Sequence, residues 1–188
     1  MTSTTVRSYP YRWTVLLAFM AVIFVNQILW ITFASITGPA AAFYGVPDLA
    51  IAALALSFMV VYLFVSIPAS WVIDTYGLRV GIGIGAVLTG AFGLLRGLAG
   101  DSYSTVLVAQ IGIAVAQPFL LNAITTVAAR WFPLGERATA SGLATLSMYA
   151  GQVVALALTP FLVLATDIPT VLLIYGGLAV IGALIFLI

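Results

Sequence analysis

The sequence predicts an all-α membrane protein built from six transmembrane helices. It is 64% hydrophobic and only 6% charged, with a mean hydropathy of +1.25, whereas a soluble domain carries about a quarter charged residues. The few charges do not scatter. They sit between apolar stretches long enough to cross a hydrocarbon core, which takes roughly 20 helical residues, and turn and breaker residues stand at the same points.

The first apolar run starts at Trp13 and continues past Ala42. A secretory signal has roughly 7 to 15 apolar residues, so this run is read as a retained span near 13–43, closed by Gly45-Val46-Pro47-Asp48. A second helix is expected near 49–73, ending at Asp74-Thr75-Tyr76-Gly77, and a third near 80–100, ending at Gly100-Asp101-Ser102. The fourth, near 104–130, stops at Phe132-Pro133-Leu134-Gly135; the fifth, near 137–164, stops at Thr166-Asp167-Ile168-Pro169; the sixth covers 168–188. Residues 1–188 thus form one six-helix domain.

Within the third span Gly81 and Gly85, and again Gly93 and Gly97, stand four apart. No strand precedes them, so they are not a dinucleotide loop; that spacing serves close helix contact in lipid. Pro39, Pro68, Pro118 and Pro160 fall inside or near the ends of spans. Each removes a backbone donor, Pro118 that for the carbonyl of Ala114, giving either a fixed kink or a hinge with a polar lining.

Arg7, Arg12, Arg79, Arg130 and Arg137 alternate through the spans so that all five share one side, with Arg96 near the other. The positive-inside bias then makes both chain ends cytoplasmic and leaves Asp48, Asp101 and Asp167 in very short outer loops. The last span reaches Ile188 with no basic or aromatic anchor after it, which predicts a continuing chain. A missing C-terminal six-helix half, or a second copy of the chain, is the expected partner, beside the lipid bilayer and a small-molecule substrate.

The composition excludes several functions. With net charge +1, no Lys, and Arg residues spaced singly, there is no basic stripe for nucleic acid. Without Cys or His, disulfides, thiolate or imidazole metal sites and the corresponding nucleophiles are ruled out. No cofactor is expected, and no enzymatic constellation can be assembled.

Polar residues are scarce and patterned. Asn26, Trp30, Phe33 and Thr37 recur on one face of the first span, Ser141, Thr145, Met148, Gln152 and Thr159 on one face of the fifth, and Gln110 and Gln117 share a face of the fourth. Such groups are costly against lipid, so the stripes are expected to face a wet cavity or other helices.

The turn after the second span reads Ser70-Trp71-Val72-Ile73-Asp74-Thr75-Tyr76-Gly77-Leu78-Arg79. Asp74, Gly77 and Arg79 resemble the loop signature of the major facilitator superfamily; Ser70, Thr75 and Leu78 depart from it. The stretch Arg130-Trp131-Phe132-Pro133-Leu134-Gly135-Glu136-Arg137 resembles that family's connection between the fourth and fifth helices. An Asp at a helix end beside a tight turn can pair with Arg and release it when two halves rock, and Arg130 is the expected partner of Asp74. Gly77, Arg79, Glu136 and Arg137 complete the expected gating loops. The resemblance implies the N-terminal half of such a transporter.

Within that superfamily the chain is most similar to the feline leukaemia virus subgroup C receptor-related transporters. The similarity is carried by Asn26, Trp30, Phe43-Tyr44-Gly45-Val46, Pro68-Ala69-Ser70-Trp71, Ala116-Gln117, Trp131-Phe132 and Pro160. It implies carriage of choline and related solutes, with Trp30 stacking on the cationic headgroup and Gln117 bonding the hydroxyl. Asn26, Phe33, Thr145, Met148 and Gln152 complete the expected binding set. Met148-Tyr149 replaces an Asn-Gln pair of that family. Haem has also been proposed as its cargo, but here only Met and Tyr could ligate iron.

Every acidic residue lies at a loop or helix end, so this half is expected to move solute by alternating access without carrying a proton. Two other readings remain open at this point: an organic-anion or drug-type carrier using Arg96 as counter-charge, and a six-helix scaffold without transport.

Overall fold

The computed structural model describes residues 10–188; Arg7, one of the charges used for orientation, lies outside them. Eight α-helices follow one another: α1 Arg12–Ile31, α2 Thr37–Tyr44, α3 Asp48–Tyr76, α4 Leu78–Gly97, α5 Tyr103–Leu121, α6 Ala123–Trp131, α7 Arg137–Ala165 and α8 Ile168–Leu187. All but α2 contribute to six membrane-length, apolar spans, α5 and α6 sharing one.

The first span is not the single helix expected over 13–43. A short 3-10 turn, Thr32–Ser35, separates α1 from α2. Pro39 explains the position of the break, because it has no N–H to give the carbonyl of Ser35 and its ring would clash there. The fourth span is also divided, α5 ending three residues beyond Pro118 and α6 beginning after Asn122. Pro68 and Pro160, in contrast, lie inside uninterrupted helices. Gly77 alone joins α3 to α4, with φ +93°, a backbone region closed to most side chains.

In the packing, α4 lies between α5 and α8, α1 lies against α7 and α8, and α3 covers α5. The α4–α8 seam uses small residues. A Cβ on Gly97 would sit 2.8 Å from the Cα of Leu173, and one on Gly176 would sit 2.6 Å from the carbonyl oxygen of Gly93. Backbones this close gain van der Waals contact that lipid tails cannot match. Along the outer faces of α3 and α7, Leu63, Phe64, Ile67, Phe161 and Leu164 are exposed, suited to hydrocarbon or to another apolar protein surface.

One end of the bundle carries Arg12, Asp74, Arg79, Arg130, Glu136 and Arg137, the other Asp48, Asp101 and Asp167. At the aspartate end, Asp167 caps α8: its Oδ1 accepts the N–H of Thr170 at 2.7 Å. Those bonds hold its carboxyl below its ordinary value of 3.8. A depressed folded-state pKa means that the cap contributes above the unfolded value and is lost as pH falls through the folded one. The protection factor of the Thr170 amide should therefore fall below about pH 4, and Asp167→Asn, whose amide oxygen still accepts, should flatten that dependence. Equal pH profiles for the two proteins would contradict the cap.

Candidate functional site

The candidate site is a cleft of about 460 Å³ between four spans. α1 contributes Gln27 and Trp30; α3 contributes Phe58, Met59 and Tyr62; α5 contributes Gln117 and Leu121; α7 contributes Met148, Tyr149 and Gln152. None of these side chains is charged.

The polar groups of Trp30, Gln27, Gln152, Tyr62 and Gln117 are distinct in what they bond. Trp30 donates its Nε1–H to the carbonyl of Ala55 on α3 at 3.1 Å, and its ring lies 6.1 Å from that of Phe58 at 37°. With the N–H engaged, Trp30 offers the cleft its π-system. Gln152 donates to Oε1 of Gln27 at 2.8 Å, joining α7 to α1. Tyr62 donates its hydroxyl to Oδ1 of Asn122 at 2.6 Å, and the amide of Asn122 in turn donates to Ser66 and Ser70. Gln117, though only 5% exposed, makes no hydrogen bond among the described residues, so its amide is available to a guest.

Four of the seven binding residues expected from the sequence, Trp30, Gln117, Met148 and Gln152, come together here. The other three do not. Asn26 is fully buried and donates to Oγ1 of Thr89 at 3.1 Å, facing α4. Phe33, past the end of α1, is 1% exposed and packs beside Arg96 and Tyr44. Thr145 returns its hydroxyl to the carbonyl of Ser141 within its own helix. The wider polar stripes are likewise partly sealed into seams, Thr159 against the hydroxyl of Tyr175 and Gln110 against Arg96.

Residues missed in the sequence are Gln27, Phe58, Met59, Tyr62, Leu121 and Tyr149. Gln27 had a usable signal, lying three before Trp30 on the same helical face. The α3 residues had a weak signal: on a mainly apolar helix, Phe58, Tyr62, Ser66 and Ser70 recur every four residues.

Arg96, the counter-charge of the anion reading, does not line the cleft and is 0% exposed. An anion in the cleft would not meet it.

At the arginine end the expected Asp74–Arg130 pair is absent. Both side chains are exposed and neither makes an ion pair among the described residues, because α6 packs chiefly on α7 and α4 rather than on α3. The ion pair is instead Arg12 with Glu136, bidentate at 3.0 Å for both contacts. Trp13 packs edge-on against Phe132, with ring centres 5.0 Å apart, so the start of α1 is fastened to the connection before α7. Arg137 donates to the carbonyl of Phe132. Gly77, Arg79 and Arg130 border a separate hollow of about 760 Å³ that includes Thr14 and Phe186.

The family model described as Major Facilitator Superfamily matches residues 13–188. The chain belongs to that superfamily. Its fold is that of a bacterial homolog of the human lysosomal transporter Spinster, in an inward-facing and unoccupied conformation, with a TM-score of 0.80 at 22% identity over 96% of this chain and 43% of that one. This superfamily member is 31% identical over 178 residues to the choline/ethanolamine transporter FLVCR2 of Rattus norvegicus, covering 89% of this chain and 33% of the relative. It is 35% identical over 156 residues to the choline/ethanolamine transporter FLVCR1 of Mus musculus, covering 82% and 28%. Solute carrier family 49 member A3 of Danio rerio is 32% identical over 186 residues, covering 94% and 39%. The chain therefore spans about a third of the length of these curated relatives. It is an integral, multi-pass membrane protein of transporter type.

Proposed function

We propose that this domain is one half of a carrier for a small organic cation or zwitterion of choline type, alternating access against a second six-helix half, with both ends of the six-helix unit cytoplasmic. The observation that carries the reading is an uncharged cleft presenting the Trp30 π-system with its N–H already engaged, and the unbonded amide of Gln117. An indole face attracts a quaternary ammonium by about 0.5 to 2 kcal/mol without needing an anion, and a free amide can bond a hydroxyl. The names of the choline/ethanolamine relatives agree with this chemistry, and their length supports a second half. Met148 and Tyr149 both line the cleft, so the departure from the related transporters falls where it would tune the choice among similar solutes.

Asp74, Gly77, Arg79, Arg130, Glu136 and Arg137 form the loops that would close the cytoplasmic side, the Arg12–Glu136 pair being the one already made. All acidic groups of the described helices stand at the two ends of the bundle, so this half moves solute without carrying a proton.

The test is uptake by the intact native protein in liposomes. Trp30→Ala should raise the KM for choline about 2- to 30-fold, the loss of one cation–π contact. Unchanged saturation of choline uptake, or competition by carboxylates but not by quaternary amines, would overturn the assignment.

A further inference from the structure

Arg96 is the only fully buried charged side chain among the described residues, and no carboxylate bonds to it. It stands in the last turn of α4 and reaches across to the place where α1 stops. There Nη1 donates to the carbonyl of Leu29 at 2.6 Å and to Oε1 of Gln110 at 2.7 Å, while Nη2 lies 3.4 Å from Oγ1 of Thr32. Phe33 covers the guanidinium, 5.6 Å from its ring centre.

The bonds around it form a set. Thr32 donates its hydroxyl to the carbonyl of Ile28 at 2.6 Å, Arg96 donates to that of Leu29, and Gln110 donates Nε2 to that of Trp30 at 3.4 Å. Three consecutive carbonyls at the broken end of α1 are thus each served by a side chain. The Ile28 carbonyl also accepts the backbone N–H of Thr32; those of Leu29 and Trp30 fall beyond it, among the carbonyls that a helix end leaves without intrahelical partners, and the summed dipole there is equivalent to roughly half a negative charge. That dipole, with the Gln110 oxygen, is what balances the buried cation. The third carbonyl belongs to the residue whose ring forms the cleft wall.

We infer that Arg96, acting with Gln110, is a positioning residue for Trp30: it pins the break in the first span and so sets the height and angle at which the indole meets a cationic solute. This rests on the choline-type reading of the cleft. Arg96 itself touches no solute, since it does not line the cleft. Its guanidinium suits the task because two donors in a fixed plane serve two acceptors on different helices, which a lysine ammonium does less well.

The experiment compares Arg96→Met, Gln110→Leu and Trp30→Ala in the intact native protein reconstituted in liposomes, with the amount of folded protein measured by size-exclusion chromatography. The readout is the preference for choline over its uncharged tert-butyl analogue, taken as the ratio of the inhibition constant of the analogue to KM for choline. A role in stability alone would reduce the folded protein and the maximal rate but leave that preference alone. A displaced indole weakens the cation and spares the neutral compound. Arg96→Met should raise the choline KM about tenfold, within the cation–π limit, and reduce the preference by a similar factor; Gln110→Leu should do the same more weakly. If Arg96→Met does not fold, Gln110→Leu decides. Preference lost in Trp30→Ala but kept within twofold in both other variants overturns the positioning role alone. Preference kept in Trp30→Ala overturns the choline-type reading, and this inference with it.

Discussion

Gly151→Ala should lower the thermal unfolding midpoint of the detergent-solubilised protein by about 10 °C, although it adds one methyl group. α7 crosses α1 at this glycine, and a Cβ there would run into the carbonyl oxygen of Phe24 while pressing on the Cβ of Gln27 at 3.1 Å. A flexible side-chain tip could swing aside; a helix carbonyl cannot, so α7 must back away from α1. Overpacking of this kind costs typically 1–3 kcal/mol. With backbone as the obstacle we expect about 3 kcal/mol, and each kcal/mol moves the midpoint of a chain this long by about 2–4 °C. The Gln27–Gln152 bond spans the same crossing, so the cleft should widen as well. Gly142 lies on the same helix with nothing within 4 Å of its Cβ position, and Gly142→Ala should not lower the midpoint. Equal midpoints for the two variants would refute the close crossing.

Asn122→Leu should cost about 2 kcal/mol and loosen one wall of the cleft. Asn122 sits at the junction of α5 and α6, where its amide nitrogen lies 3.0 Å from the Ser66 carbonyl, 3.1 Å from Ser66 Oγ and 2.9 Å from Ser70 Oγ, and its oxygen accepts from Tyr62. A single hydrogen bond inside a membrane protein averages only about 0.6 kcal/mol, with a maximum near 1.7. One amide joining four groups on α3 exceeds that average, because its loss leaves several of them unpaired at once. A double-mutant cycle of Asn122→Leu with Tyr62→Phe, read by thermal unfolding, should give a coupling of about 1 kcal/mol. Additive effects would show that the two side chains are merely adjacent.

The reach of the sequence is clearest around Trp30. Asn26 and Gln27 lie four and three residues before it, and both spacings share its helical face. Periodicity selected Asn26, but α1 turns Asn26 towards Thr89 on α4 and leaves Gln27 for the cleft. Phe33 failed for another reason: the helix ends at Ile31, and the 3-10 turn after it changes the phase by which three residues on would share a face. The Asp74–Arg130 pairing failed because the order of loops along the chain does not say which helix ends are neighbours. Arg96 does stand near the end of its span, as counting along the chain placed it, but its bond to the Leu29 carbonyl at the end of α1 is a contact that counting does not reveal.

The six spans, their sequence order and the glycine seams were legible without coordinates. These follow from the cost of exposing polar groups to hydrocarbon and from the need for small residues where helices touch, and both are local to a stretch of chain. The superfamily was legible too, through two short loops whose residue types are tied to their turns. Which glutamine faces the cleft, which arginine finds Glu136, and that Gln117 is left unbonded came from the packing. Each of those outcomes depends on how far a helix is rotated and where it breaks, and that is settled by neighbours distant along the chain.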